Sequence, residues 1–208
     1  MHSRKVAAAA LACMVVAGCG GITRGAAEAV PFELPVGPTG WDVSEASWLQ
    51  NGVLHVGSRR VTIGDAPTGY AVAPTGVYWL DGHVLMFTSA TGDTQEVRDL
   101  QWSSLAISPD RSTLALLDDS HGPTDEHGTH ALQVVVFDTG TGEQLYRTPA
   151  AKSWTGGDLA DFYGDAVPDL DEVSDAGVSI DGITIDHTTG EVTVREPGSL
   201  GELLFAGP

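Results

Sequence analysis

Residues 70–99 read YAVAPTGVYWLDGHVLMFTSATGDTQEVRD and carry the clearest structural signal in the chain. Four short runs in this stretch alternate apolar and polar residues, a pattern that predicts strands because successive side chains of a strand point to opposite faces. The runs are separated by the turn sequences Pro74-Thr75-Gly76, Asp81-Gly82 and Thr91-Gly92-Asp93. Glycine favours such turns because it adopts the left-handed backbone conformation at little steric cost. The stretch therefore predicts a four-stranded antiparallel meander.

The same order of strands and turns fits three further units, at residues 32–65, 103–148 and roughly 158–196. In the first of these units we expect strands at Phe32–Val36, Ser44–Gln50, Val53–Val56 and Arg60–Gly64. Four such units predict an all-β fold with no helix of two or more turns between residues 44 and 196. The alternating strand faces predict that the core contains Leu85, Leu116, Val134, Val136 and Ile183.

The third unit carries a closer resemblance. The segments LAISPDRSTLALL (105–117) and VVVFDTGTGE (134–143) resemble a blade of the WD40-like, TolB-type β-propellers, although Arg111 stands where that family prefers glycine. The resemblance implies that residues 32–208 form a β-propeller-like array of about four four-stranded antiparallel blades. A β-sandwich remains the alternative, because alternating strands with frequent turns are typical of either fold.

The N-terminus predicts export. After a short basic start, the apolar run Val6–Val16 is too short to span a bilayer as a permanent helix. It leads into Val16-Ala17-Gly18-Cys19, which resembles the lipobox of bacterial lipoproteins. The resemblance implies that residues 1–18 are a lipoprotein signal peptide, that Cys19 is lipidated, and that residues 19–31 are a flexible tether. The protein would then lie on the extracytoplasmic face of the cell membrane, held there by its lipid anchor.

The charge of the chain limits its partners. It has 28 acidic residues against 10 Lys and Arg, a formal net charge of −18. This excludes a nucleic-acid binder that depends on phosphate contacts, and it disfavours attachment to anionic lipid through a basic patch. We therefore expect a binding or scaffolding protein that contacts another envelope protein through its propeller loops.

Enzymatic activity stays open at this point. The chain contains no Gly-x-Ser-x-Gly elbow, P-loop or dinucleotide fingerprint, which favours a binding role. Asp119, Ser120 and His121 are adjacent in sequence, but this is not evidence for a catalytic triad, because the members of a triad come together in space and not along the chain. The alternatives are a metal-dependent hydrolase or lyase, and a lipoprotein that captures a metal ion or solute.

One candidate metal site lies in an acidic segment near the C-terminal end. Asp161, Asp165 and Asp169 resemble the first, fifth and ninth positions of the calcium loop of FG-GAP-type propellers. The resemblance implies a Ca²⁺ site, since carboxylate oxygens are the ligands that Ca²⁺ prefers. Tyr163 and Ala166 depart from the pattern, where the family has a ligand and the glycine of a sharp turn. The alternative is a solvated acidic loop.

A second candidate lies in an insertion within the third unit. Residues 118–130 contain His121, His127 and His130 together with four acidic residues. Imidazole and carboxylate groups could ligate Zn²⁺ or another transition metal, although the spacing matches no established zinc pattern. The alternative is a polar hairpin loop.

Overall fold

The computed structural model describes residues 32–38, 40–44, 46–149, 158–174 and 177–206. The proposed signal peptide, Cys19 and the tether lie outside the described residues. Strands account for 44% of the structure and helices for 8%, so the prediction of an all-β fold is confirmed. The described part of the chain has no helix with the length and apolar character needed to cross a membrane.

The strands form antiparallel meanders in which neighbours in sequence are neighbours in the sheet. Sheet 1 comprises β1 (Ser47–Gln50), β2 (Val53–Val56) and β3 (Arg59–Thr62). Sheet 2 comprises β4 (Gly69–Ala73), β5 (Gly76–Asp81), β6 (Val84–Ser89) and β7 (Thr94–Asp99). Sheet 3 comprises β8 (Leu105–Ile107), β9 (Thr113–Asp118), β10 (Gln133–Asp138) and β11 (Gln144–Arg147). After helix α1 (Leu159–Asp165), sheet 4 comprises β12 (Leu170–Ser174), β13 (Gly177–Ile180), β14 (Ile183–Ile185) and β15 (Val192–Val194), and helix α2 (Leu200–Phe205) follows.

Apolar clusters lie between successive sheets. One joins sheets 1 and 2, a second joins sheets 2 and 3, and a third joins sheets 3 and 4. Among the described residues, no cluster joins sheet 4 to sheet 1. The first strands of sheets 2 and 4 both contact β8, the first strand of sheet 3. The five core residues predicted from the sequence, Leu85, Leu116, Val134, Val136 and Ile183, are all buried, which confirms that prediction.

The hairpin turns follow the predicted sequences with one shift. Asn51-Gly52 and Asp181-Gly182 have positive φ at both central positions, as type I′ turns require. In the β5–β6 hairpin the two central residues are Gly82-His83, because Asp81 already pairs with Val84. Gly82 has a φ of 60°, which places glycine at the first central position of a type II′ turn. The Thr-Gly turns are also confirmed, with left-handed glycines at Gly92, Gly142 and Gly190.

The segment predicted as the first strand is not a strand. Residues 32–37, here called the strap, cross the ends of sheets 2 and 3. The Leu34 amide donates to the carbonyl of Gly142 at 2.8 Å, and the Tyr78 hydroxyl donates to the carbonyl of Pro35 at 2.8 Å. Phe32 packs on Phe137 with ring centroids 4.9 Å apart. Because the strap bonds to other sheets, sheet 1 has three strands.

Helix α1 departs from the predicted run of strands and turns in the fourth unit, although its seven residues make just under the two turns that the sequence prediction excluded. Helix α1 has seven residues, and it begins where the Asp158 side chain accepts a hydrogen bond from the Ala160 amide at 2.8 Å. Leu159 and Tyr163 are buried four positions apart, so one face of α1 packs on the cluster between sheets 3 and 4. The first strand of the fourth unit accordingly lies after the helix, at Leu170–Ser174.

Candidate functional site

A cleft lies where the end of sheet 2, the insertion of sheet 3 and helix α1 meet. It is open to solvent and has a volume of about 510 Å³. The side chains that give it chemical character are Asp99, Trp102, Asp119, Ser120, His127 and His130. No Lys or Arg belongs to the lining among the residues that the structure describes. This volume is in the range of sites for small organic ligands.

The insertion forms an ordered hairpin that makes one wall of the cleft. Thr124 and His130 form an antiparallel β-bridge. The Asp125 carboxylate accepts hydrogen bonds from the amides of His127 at 2.9 Å and Thr129 at 2.8 Å, and from the amide of Leu159 at 2.8 Å. Although burial opposes the charge of Asp125, these three backbone bonds outweigh it and lower the pKa of the carboxyl group. Asp125 thus fastens the hairpin to the start of α1.

The three histidines of the proposed transition-metal site separate. His127 and His130 line the cleft, whereas His121 faces a buried ionic cluster. The His130 Nδ1 lies 3.0 Å from the carbonyl of Gly122, so Nδ1 carries the proton and donates. Among the described residues, no three His, Cys, Asp or Glu side chains come together in a way that could hold a metal ion.

The three aspartates of the proposed calcium site are all exposed. Asp161 and Asp165 lie on α1, and Asp169 follows the helix, so a helix occupies the place of the turn that a calcium loop needs. Tyr163, which stands at a ligand position of that loop, is instead buried, and its hydroxyl accepts from the Leu132 amide at 3.0 Å. In this part of the described chain the carboxylates form no cation site.

A buried ionic cluster lies directly beside the cleft. The Asp118 side chain has no solvent exposure, and its Oδ2 lies 2.7 Å from Arg147 Nη2 and 3.8 Å from Arg98 Nη1. Its Oδ1 accepts from the Ser120 amide at 2.9 Å and from the Ser120 hydroxyl at 2.5 Å. Burial opposes the charge, but the bonds from Ser120 and the attraction of Arg147 prevail and lower the pKa of Asp118. Asp118 is therefore ionised, and it holds both arginines.

Ser120 and His121 are close, but their arrangement differs from that of a catalytic triad. The Ser120 Oγ lies 2.7 Å from His121 Nδ1, and Arg98 Nη1 lies 2.7 Å from the same nitrogen. Because a guanidinium only donates, Nδ1 acts as the acceptor, and burial together with Arg98 lowers the pKa of His121. Asp118 Oδ2 also faces Nδ1, at 3.7 Å, whereas a triad needs the acid on the opposite ring nitrogen. The Ser120 hydroxyl donates its hydrogen bond to Asp118. Ser120 and His121 are therefore part of the buried ionic cluster.

The cleft itself is electronegative. Asp119 is 9% exposed, and its Oδ2 accepts from the Trp102 amide at 2.8 Å. Burial first, and the neighbouring charge of Asp118 second, raise the pKa of Asp119 despite that bond. Asp99 adds an exposed carboxylate, 3.6 Å from the imidazole of His83. Two aspartates and Trp102, whose ring also packs on Tyr163, therefore contribute to the lining of the cleft.

Sequence reasoning included His127, His130 and Asp119 in the candidate insertion but missed Asp99 and Trp102. The available signal was charge placement: Arg98 and Arg147 lie at or near the ends of β7 and β11, and Asp118 ends β9. In so acidic a chain, an arginine at a strand end is expected to pair with a carboxylate on a neighbouring strand, as both arginines do with Asp118. No family model matches the chain, and no curated protein sequence matches it.

Proposed function

We propose that the protein is a lipid-anchored, extracytoplasmic binding protein with a propeller-like array of sheets, and that its cleft binds a cationic organic group such as an amine or a guanidinium. The observation that carries this proposal is the lining of the cleft, which combines two carboxylates and an indole ring without a Lys or Arg among the described residues.

The propeller-like arrangement is supported by the stacking of the sheets. Four consecutive meanders pack in sequence order, each on the next, and the first strands of sheets 2 and 4 both adjoin the first strand of sheet 3. In a propeller the first strands surround the axis, whereas a sandwich packs its sheets as two layers. Loops and insertions at one end of such blades are the usual place for a ligand.

The cationic ligand class follows from electrostatics and ring chemistry. A net charge of −18 attracts cations to the surface, and carboxylates in a cleft focus that attraction. An indole such as that of Trp102 favours a cation over its face. Arg98 and Arg147 are paired with Asp118, and neither lines the cleft.

The binding test uses calorimetry with arginine ethyl ester and spermidine as cationic probes, and with acetylcitrulline ethyl ester and triacetylspermidine as their uncharged analogues. We expect the cations to bind and the neutral analogues to fail, and we expect Asp99→Asn and Asp119→Asn each to weaken binding severalfold. Glu96→Gln is the matched control, because Glu96 is exposed on β7 and does not line the cleft. Equal binding of charged and neutral probes would overturn the proposed ligand class.

The same calorimetric measurement, repeated at several pH values, gives the pH dependence of cation affinity. Because the pKa of Asp119 is raised, this carboxyl takes up its proton at a higher pH than an ordinary aspartate does. Cation affinity should therefore begin to fall on mild acidification, and this early fall should be missing in Asp119→Asn. An identical pH profile for both proteins would remove Asp119 from the site.

The anchor is tested separately. Cys19→Ser removes the acyl acceptor, so the variant should leave the membrane fraction and appear in the aqueous phase of a detergent partition. Unchanged membrane retention of that variant would contradict the lipid anchor. It would not affect the proposal that the cleft binds a cation.

A further inference from the structure

The outer face of sheet 1 differs from the rest of the surface. Leu54, Val56 and Val61 point inward to the cluster shared with sheet 2. On the opposite face, Trp48, His55 and Arg60 form one row across the three strands, because they are register partners. Trp48 is 48% exposed, and its indole stacks on the imidazole of His55 with centroids 4.7 Å apart and planes 9° apart.

The charge of this sheet is opposite to that of the chain. Residues 46–64 contain no Asp or Glu, although the chain has 28 acidic residues. The same segment contains Arg59 and Arg60, both exposed. Arg60 is the cationic residue of the outer face, whereas Arg59 pairs with Val56 and so lies on the inner face, at the edge of the sheet.

We propose that this outer face of sheet 1 rests on an anionic lipid surface and so orients the anchored domain. An exposed indole beside an arginine suits the headgroup region, because tryptophan is favoured at membrane interfaces and arginine is attracted to anionic lipid. The occupant is a bilayer in preference to a soluble partner because the chain itself supplies the proximity. This inference rests on the proposed lipid anchor.

Because the tether is short, even a weak contact with the bilayer is sufficient to orient the domain. The twelve residues 20–31 separate Cys19 from Phe32, and at full extension they reach roughly 40 Å. A linker of this length keeps the domain at a high effective concentration near the bilayer, so an indole and one arginine can select one orientation. The net charge of −18 repels the remaining surface from anionic lipid, which favours the same orientation.

A second copy of the chain is the competing occupant. The outer face of sheet 4 presents a polar row of Glu172, Ser179, Thr184 and Thr193, register partners across that sheet. It offers no apolar side chain to cover Trp48. Self-association would nevertheless also protect Trp48, so the experiment includes it as an outcome.

The experiment reconstitutes the full, acylated protein in vesicles of neutral lipid or of lipid with an anionic fraction. Brominated acyl chains quench tryptophan emission at close range, and the emission of Trp48 is obtained by subtracting the Trp48→Phe variant. We expect quenching of Trp48 on anionic vesicles and much less quenching on neutral vesicles or at high salt. Arg60→Glu should lower the ratio of docked to undocked protein by about fivefold or more, given the attraction of one arginine to anionic lipid. Arg195→Glu is the matched control, since Arg195 is exposed and lies on sheet 4's side of the molecule.

The outcomes separate this inference from the proposed function. Failure of the wild-type protein to float with vesicles would remove the anchor and the inference together. Flotation without quenching of Trp48, or equal effects of Arg60→Glu and Arg195→Glu, would overturn the inference alone. Protection of Trp48 that grows with protein concentration in detergent, where no bilayer exists, would assign the face to a second copy and overturn it as well.

Discussion

Replacing Asp118 by Asn tests whether the buried ionic cluster stabilises the fold. The substitution keeps the shape of the side chain and removes its charge, which leaves Arg147, 9% exposed, and Arg98, 20% exposed, without their common partner. Loss of one member of a buried ion pair costs about 3–5 kcal/mol, because the remaining charge stays desolvated. For a domain of this size, that loss lowers Tm by roughly 6–20 °C.

The assay is thermal unfolding followed by circular dichroism, with Glu96→Gln as the control for a change from carboxylate to amide on the surface. The control should change the stability by less than about 0.5 kcal/mol. The double variant Asp118→Asn with Arg147→Met should be more stable than the sum of the two single effects predicts, because it removes both members of the pair. Equal losses for Asp118→Asn and Glu96→Gln, or a strictly additive double variant, would refute this account of the cluster.

The pH dependence carries a definite sign. The pKa of Asp118 is lower in the folded than in the unfolded protein. The ionised carboxylate therefore contributes its full stability at any pH above the pKa of the unfolded state, and this stability is lost as the pH falls through the pKa of the folded state. The difference in stability between wild type and Asp118→Asn should therefore be constant near neutral pH and shrink only in strong acid. If the stability difference between wild type and Asp118→Asn shrank near pH 6 instead, the stabilising charge would belong to a group other than Asp118.

Three further predictions concern turns. Arg111 has a φ of 65°, so Arg111→Gly should relieve left-handed strain and raise the stability by up to about 1 kcal/mol in denaturant titration; a clear loss would contradict this. Gly142→Ala should cost more than Gly92→Ala, by about 1 kcal/mol or more, since a Cβ at Gly142 meets the backbone of the strap while one at Gly92 meets nothing within 4 Å; equal losses would be evidence against the strap contact. The Asp186 carboxyl accepts bonds from the hydroxyl and amide of Thr188, which lower its pKa to about 2, so carboxyl NMR should show Thr188→Ala raising that pKa.

The repeating meanders could be predicted because their information is local. Alternation and turn glycines specify each hairpin, and the strands of sheets 2 and 3 lie close to the predicted positions. The strap could not be predicted in the same way. Its alternating residues suit a strand, but its hydrogen-bond partners lie in sheets 2 and 3, far along the chain. Tertiary partners therefore decided against the local propensity.

Helix α1 was missed for a different reason. Its acidic residues suggested a loop, whereas the Asp158 cap and the spacing of Leu159 and Tyr163 are the features that decide its conformation. The cleft was only half predicted for a related reason. The histidines of the insertion were visible as a cluster in sequence, but Asp99 and Trp102 join them only because sheet 2 packs against sheet 3.

The strap also constrains the order in which the domain can be completed. Its first hydrogen-bond acceptor, the carbonyl of Gly142, belongs to the turn between β10 and β11, so the strap finds its place only after much of sheet 3 has emerged and folded. Because a chain is synthesised from its N-terminus, the earliest residues of the domain are then among the last to dock.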